Sequence, residues 1–478
     1  GRLNVVPTGA ALDNLRLELA GAEATGALSY RKPKSGNAVF SLSLDADKLD
    51  LDQIETLAGI FERPDDGLKN LDVSLRVLAR EISIRELDGK GLALEAEYSN
   101  NGLRIDRLYA EDLAGAELDV GGRVDNILTA PEGLLSGTLN AENLTGLVAL
   151  TSSLLPESAI LDRLERAASF LVPAKFQAEL QASARDGISE AKFQLTGNAG
   201  GATTDIGIGF NGRVDEWRKA EIDLGLTLEG PDGGQILRQL GFDILPVGEL
   251  GAGKLNLTTN GKAEDGLEIV LDASTGQGKV GIDGTLQLQE DKDPEYRFAV
   301  SASAPDVAPF ALLAGRVLPV MAGDIDADLV FNLAGQGTKF TVDGLQGTVA
   351  GVALDGQISG DMVPVPGETN RRVKGKMRLG SLDLRFLSEA ILGPDQWFSA
   401  GDGSSIWPSM PFGSPLLDGI DLTLNLEADR LAIDDETTID NSRAELRLTP
   451  ALFRLDGLNG TFAGGILEGS LSLRRSDA

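Results

Sequence analysis

The sequence contains no cysteine and no histidine. The first absence removes disulfides and thiol chemistry, the second removes imidazole acid–base catalysis, and together they remove the usual zinc ligand sets. A chain without thiols suits an oxidising compartment but does not fix one. Aromatic residues make up only 5% of the chain, which excludes the Trp/Tyr girdles of an outer-membrane barrel and leaves few stacking platforms for sugars. There is no signal peptide and no apolar run of about 20 residues. The greasiest stretch, VAPFALLAGRVLPVMAG at 307–323, is interrupted by Pro309, Arg316 and Pro319 and reads as an amphipathic element. The chain opens in mid-pattern, without a methionine, and reads as a fragment of a longer protein whose anchor lies outside it. Positive charge is short as well: 43 Lys and Arg stand against 73 Asp and Glu, a net charge of −30. Nucleic acid, which needs a basic surface, is not an expected partner, and electrostatic adhesion to anionic lipid is disfavoured. No Lys/Arg run is taken to offset this locally.

What is present is alternation. At 478 residues the chain is too long for one ordinary core, so several domains or a repeat array is expected. Apolar residues recur with period two: Phe40, Leu42 and Leu44; Phe176, Ala178 and Leu180; Ile222 to Leu228; Leu329, Phe331 and Leu333; Leu422, Leu424 and Leu426. The residues between are mostly polar, as in antiparallel sheets with one solvated face. About two dozen strands are expected, with glycine serving the turns.

Five helical segments interrupt the strands: 50–63, 158–173, 232–242, 305–319 and 381–393. In the second, Ile160, Leu161, Leu164, Ala168 and Leu171 share a face, with Ser158 as N-cap and Pro173 beyond the end. Each segment follows a strand ending in a small residue and then Asp or Asn. The spacing of roughly 75–95 residues suggests a module of strands plus one helix, used about five times. The strongest internal match sets 71–108 against 420–458. Strand, glycine turn, strand recurs at 105–124, 342–360 and 455–473, the last around Gly464–Gly465. The regions expected are 1–140 with one helix, 141–300 with two helical insertions, and 301–478 with an aromatic loop at 394–415 and terminal glycine-containing strands.

Chemical sites are scarce. GDGSS at 401–405 and PDDG at 64–67 lack the spacing of an EF-hand and read as solvated turns. GGATTDIGIGFNG at 200–212 has neither the lysine nor the helix start of a phosphate loop. No residue is assigned a catalytic, cofactor-binding or metal-ligating role, and no enzyme activity is expected. Trp397, Phe398, Trp407, Met410 and Phe412 cluster in a Gly/Pro/Ser-rich loop. They read either as a strap plugging the core or as a docking loop for a membrane or partner.

SAPDVAPFALLAGRVLPVMAGDIDADLVFNLAG followed by DGLQGTVAGVALDGQISG resembles the repeat unit of the AsmA family of bacterial envelope proteins. WPSMPFGSPLLDGIDLTLNLEADRLAIDD followed by AELRLTPALFRLDGLNGTFAGGILEGSLSL is similar to that family's C-terminal signature. The resemblance covers 300–473 and is fainter before it. It implies a periplasmic protein, anchored in the inner membrane through a segment absent from this chain, and related to bridge-like lipid transfer proteins. It also implies a role in phospholipid movement and outer-membrane homeostasis. The implied fold is mainly β: an elongated, curved antiparallel sheet forming a repeat-built groove or half-pipe, with short interspersed helices. Leu329, Phe331, Leu333, Leu422, Leu424, Leu426, Leu446, Leu448, Leu471 and Leu473 would line the groove and phospholipid acyl chains would occupy it. Envelope protein partners are not specified. The alternative is a structural or adhesive β-repeat scaffold with a closed core; a polysaccharide-active enzyme ranks below both.

Overall fold

A computed structural model describes residues 1–19, 22–50, 52, 71–85, 87–126, 131–154, 159–185, 188–245, 250–313, 318, 324–364, 369–383, 419–433, 437–450 and 452–474. The chain is mainly β, an open and mostly antiparallel sheet with few short helices. Alternation accounts for this directly: a strand with one apolar face is stable only beside neighbours that continue that face. The chain divides into two compact units, one largely within residues 1–243 and the other largely within 244–478.

In the first unit β1 (Arg2–Val6), β2 (Gly9–Leu19), β3 (Ala22–Arg31) and β4 (Ala38–Asp50) pair in order. Next come β5 (Leu71–Ile84), β6 (Leu87–Ser99), β7 (Gly102–Leu113), β8 (Ala116–Asp125) and β9 (Glu132–Ala141). β10 (Ala174–Arg185), β11 (Ile188–Ala199), β12 (Ala202–Gly212) and β13 (Glu221–Gly230) complete the run. β14 (Gly253–Lys262) divides between the units.

In the second unit β15 (Gly266–Thr275), β16 (Gly278–Gln287), β17 (Glu295–Ala304), β18 (Ala327–Gln336), β19 (Lys339–Val349) and β20 (Val352–Asp361) pair consecutively. β21 (Arg371–Asp383), β22 (Ile420–Ala432), β23 (Thr438–Thr449), β24 (Leu452–Phe462) and β25 (Gly465–Arg474) continue the run. Neither run closes on itself among the described residues.

Among the described pairs two depart from the antiparallel expectation: β4–β5 and β21–β22 are parallel. Parallel neighbours need a crossover of about a dozen residues or more, since the chain must return to the starting end. The connections 51–70 and 384–419 are long enough to supply it.

Four α-helices are described: α1 (Thr145–Leu154), α2 (Ala159–Ala167), α3 (Gly233–Gln239) and α4 (Ala308–Leu313). The last three fall in the expected second, third and fourth helical segments, while α1 was not anticipated. The first expected helix lies almost wholly outside the described residues. Of the fifth, 381–383 instead end β21 and the remainder lies outside, as do Ser158 and the aromatic residues Trp397, Phe398, Trp407, Met410 and Phe412. The acidic turns at 64–67 and 401–405 lie outside too.

The recurring Asp/Asn step has a physical explanation. Asp50 accepts a hydrogen bond from the N–H of Asp52, Asn143 from Thr145, Asp232 from Gly234 and Asp306 from Ala308, each at 2.9–3.0 Å. In three of the four, this satisfies an orphan donor in the first turn of a described helix. Counting strand directions, the insertions after β4, β9 and β13 leave from one rim of the first unit, and those after β17 and β21 from one rim of the second. Tight turns lie beside them: Ala114 and Gly115 sit against Gly146 and Asn143 at the start of α1.

The repeat extends beyond 71–108 and 420–458. LDNL (12–15), IDRL (105–108), VDGL (342–345) and LDGL (455–458) each open a β-bulge of the same size, two residues facing one. β2–β8 and β19–β25 therefore form two copies of a seven-strand module, each containing one parallel crossover. Beyond three of the bulges, Ala-Gly turns at 114–115, 350–351 and 463–464 place both residues at positive φ, a type I′ hairpin geometry. The expected turn at Gly464–Gly465 is thus shifted by one residue, and Gly465 opens β25.

Alanine is unfavourable at positive φ, where asparagine is better tolerated. Ala463→Asn, at an exposed turn with φ 47°, is expected to stabilise the β24–β25 hairpin by about 0.5–1 kcal/mol. Slower amide exchange in β25 would be the readout. Ala114→Asn should give no such gain, because its Cβ faces Gly146 in α1.

Candidate functional site

The apolar face of each unit is the feature with functional potential. In the second unit, register carries one row of residues across eleven strands. It runs Ile269, Gly284, Phe298, Leu333, Val342, Ile358, Gly375, Leu424, Leu446, Leu455 and Leu471. A neighbouring row sets Leu271, Ile282, Val300 and Phe331 side by side. Another joins Val373, Leu422, Leu448, Phe453 and Leu473. All ten expected groove residues thus belong to strands of one ladder, and the two groups, Leu473 aside, meet on a single face.

They differ in cover. Leu329, Phe331 and Leu333 are half-buried, and Val280 on the same face is 39% exposed. Leu424, Leu426, Leu446 and Leu448 are instead enclosed with Phe453 and Leu455, with Leu422 and Leu471 packed against them. Phe453 is only 1% exposed. The face is therefore half-open along β15–β20, where Leu267, Tyr296 and Leu345 are buried but most of its residues are not, and closed along β22–β24.

The first unit has a comparable open row: Leu135, Leu180, Phe193, Ile208 and Leu224. Ile208 is 40% exposed. Full burial occurs near the insertion rim, where Ala116, Ala141, Leu144, Val148, Ala168 and Ala174 cluster. Phe193 and Ile208 lie outside the ten groove residues expected from the sequence. The glycine-rich 200–212 that contains Ile208 is a Gly200–Gly201 turn followed by β12.

Polar groups at the end of the open face are few. The Tyr296 hydroxyl donates to the Lys339 carbonyl at 3.1 Å, and its ring stacks with Phe298 at 6.0 Å. Burial pushes the Tyr296 phenol above its ordinary value, and the Asp361 carboxylate adds to the shift. Asp361 itself is held below its ordinary value, first by a hydrogen bond from the Thr338 side chain and then by the Val363 N–H. Among the described residues no group of three or more acidic side chains is placed to hold a metal ion. No described helix is long and apolar enough to cross a membrane.

The opposite, polar face carries cross-strand ion pairs such as Arg16–Glu23 and Arg76–Glu95. It also contains a basic run, RRVKGKMR at 371–378, with five cations in eight residues, which corrects the expectation that none offsets the acidic balance. Alternation along β21 puts Arg372, Lys374, Lys376 and Arg378 on the polar face.

Compared with protein-family models, curated proteins and solved structures, the chain matches none.

Proposed function

We propose that the chain is a non-enzymatic lipid conduit, in which phospholipid acyl chains lie along the half-open apolar face while headgroups remain in water. The observation that carries this reading is the incomplete cover of Leu329, Phe331, Leu333 and Val280. A second packed layer would bury such residues, and an extended apolar surface without one marks a site for an apolar partner. Transport of this kind needs no catalytic group. A passive groove only equilibrates lipid, so directional flow requires an energised partner. The resemblance to AsmA proteins supports placing the chain in the bacterial periplasm. It also supports an inner-membrane anchor in the parent protein and a part in outer-membrane homeostasis.

The enclosed cluster around Phe453 and Leu446 favours a second reading, a β-repeat scaffold with a closed core. Cross-linking separates the two. A photoreactive residue at Phe331, in protein taken from bacterial envelopes, is expected to capture phospholipid. One at Asn332, on the polar face, should capture none. Equal capture at both positions, or none at Phe331, would favour the scaffold.

A further inference from the structure

We propose that the polar face of β19–β22 binds a phosphate-bearing polyol, held by Lys374 and Lys376. The site lies on the opposite side of the sheet from the apolar face and does not rest on the lipid reading. Lys374 and Lys376 are exposed and two residues apart on β21, so their stems project from one face about 7 Å apart. Among the described residues neither has an ion-pair partner. Arg378 on the same strand, by contrast, meets Glu427 at 3.1 Å. Two adjacent unpaired ammoniums repel each other, and a bound anion relieves that repulsion.

Their surroundings indicate which anion. Lys374 stands between Ser359 and Thr423, and Lys376 between Gln357 and Asn425. Hydroxyls and amides both donate and accept, as a polyol requires. These side chains and Asp343 line one depression of about 310 Å³. Asp343, carried there by the VDGL bulge, can only accept when ionised. It would oppose a bare anion but suits a ligand that brings hydroxyl donors as well as phosphate. No aromatic ring lines the depression, so recognition falls to charge and hydrogen bonding. The net charge of −30 disfavours long polyanions. A small phosphate ester escapes most of that repulsion at physiological salt, because charges more than about 8 Å away are largely screened. The shared chemistry, a phosphate on a polyhydroxyl skeleton, occurs in soluble sugar phosphates and in phosphoinositide-type lipid headgroups.

Calorimetric titration of the whole chain with fructose 1,6-bisphosphate tests the site, with inorganic phosphate and fructose as comparators. Binding is expected to weaken at least tenfold in K374Q/K376Q and to survive in K374R/K376R. Inorganic phosphate should bind at least tenfold more weakly than the bisphosphate. Co-sedimentation with phosphatidylinositol vesicles, lost in K374Q/K376Q and absent with phosphatidylcholine, would identify a lipid headgroup as the source. Binding of the free ester without vesicle binding would identify a soluble one. The proposal is overturned if the bisphosphate does not bind, if inorganic phosphate binds equally well, or if K374Q/K376Q binds like the parent. It is also overturned if the only change in that variant is loss of self-association, which would make the basic stripe a contact for an acidic segment of a second copy.

Discussion

Leu424→Asp is expected to destabilise the β21–β24 region by about 4 kcal/mol or more, among the largest effects a single substitution produces. Leu424 is 7% exposed and lies opposite Leu446 in a cluster of leucines and Phe453. A carboxylate there loses the leucine contacts and is buried with no cation among the neighbours in that cluster. Thr423→Asp, one residue away and exposed beside Lys374, should stay within about 0.5 kcal/mol of the parent. A chain of two compact units need not unfold in one step, so local amide exchange over β21–β25 is the appropriate readout. Equal loss of protection in the two variants would show that the two faces of β22 do not differ in burial, and a larger loss in Thr423→Asp would show that they are assigned the wrong way round.

Gly284→Ala should cost about 2–4 kcal/mol, although it adds a single methyl group. Gly284 lies in the middle of β16 between Ile269 and Phe298. A Cβ there would overlap the Arg297 carbonyl oxygen and approach Phe298 Cα at 2.8 Å. Both obstacles are backbone, so no rotamer change relieves them and the β16–β17 ladder must shift. Gly225→Ala is the counterpart. Its Cβ would meet nothing within 4 Å, so restricting the unfolded chain should stabilise the fold by about 0.4–1 kcal/mol. Denaturant midpoints of the two variants should move in opposite directions.

Much of this architecture was legible because alternation is a direct record of a sheet with unlike faces. Leu422, Leu424 and Leu426 share a face because side chains repeat every two residues, and Asp232 and Asp306 marked helix starts because a short carboxylate caps the first turn. What escaped detection lacked a local signature. Between Ala46 and Leu49, Ala79 and Ile82, and Ala428 and Leu431, two exposed residues separate buried ones. The period slips there, and strict alternation would send the second residue to the wrong face. The parallel pairs are set by long-range pairing, which no window of residues records. α1, TGLVALTSSL, has no charged face and so gave no amphipathic pattern. Nor could alternation distinguish the half-open Phe331 from the enclosed Leu446. Both are apolar, on the same face, and they differ only in what lies above them.

The bookkeeping of strand direction constrains how such a chain can lengthen. An insertion that returns antiparallel, as after β9 and β17, must be followed by an even number of strands to bring the chain back to the same rim. Four do so in each case, if β14 through β17 are left aside. An insertion that crosses over in parallel, as after β4, reverses the parity, and five strands follow before the next departure. Duplicating a block such as β10–β13 with its insertion would therefore preserve strand polarity, rim and face together. Duplicating three strands would turn every later strand end over end. Whole-block gain or loss is thus the simple route to altered length for this sheet, whereas deleting an odd number of strands without a parallel crossover should be incompatible with the pairing downstream.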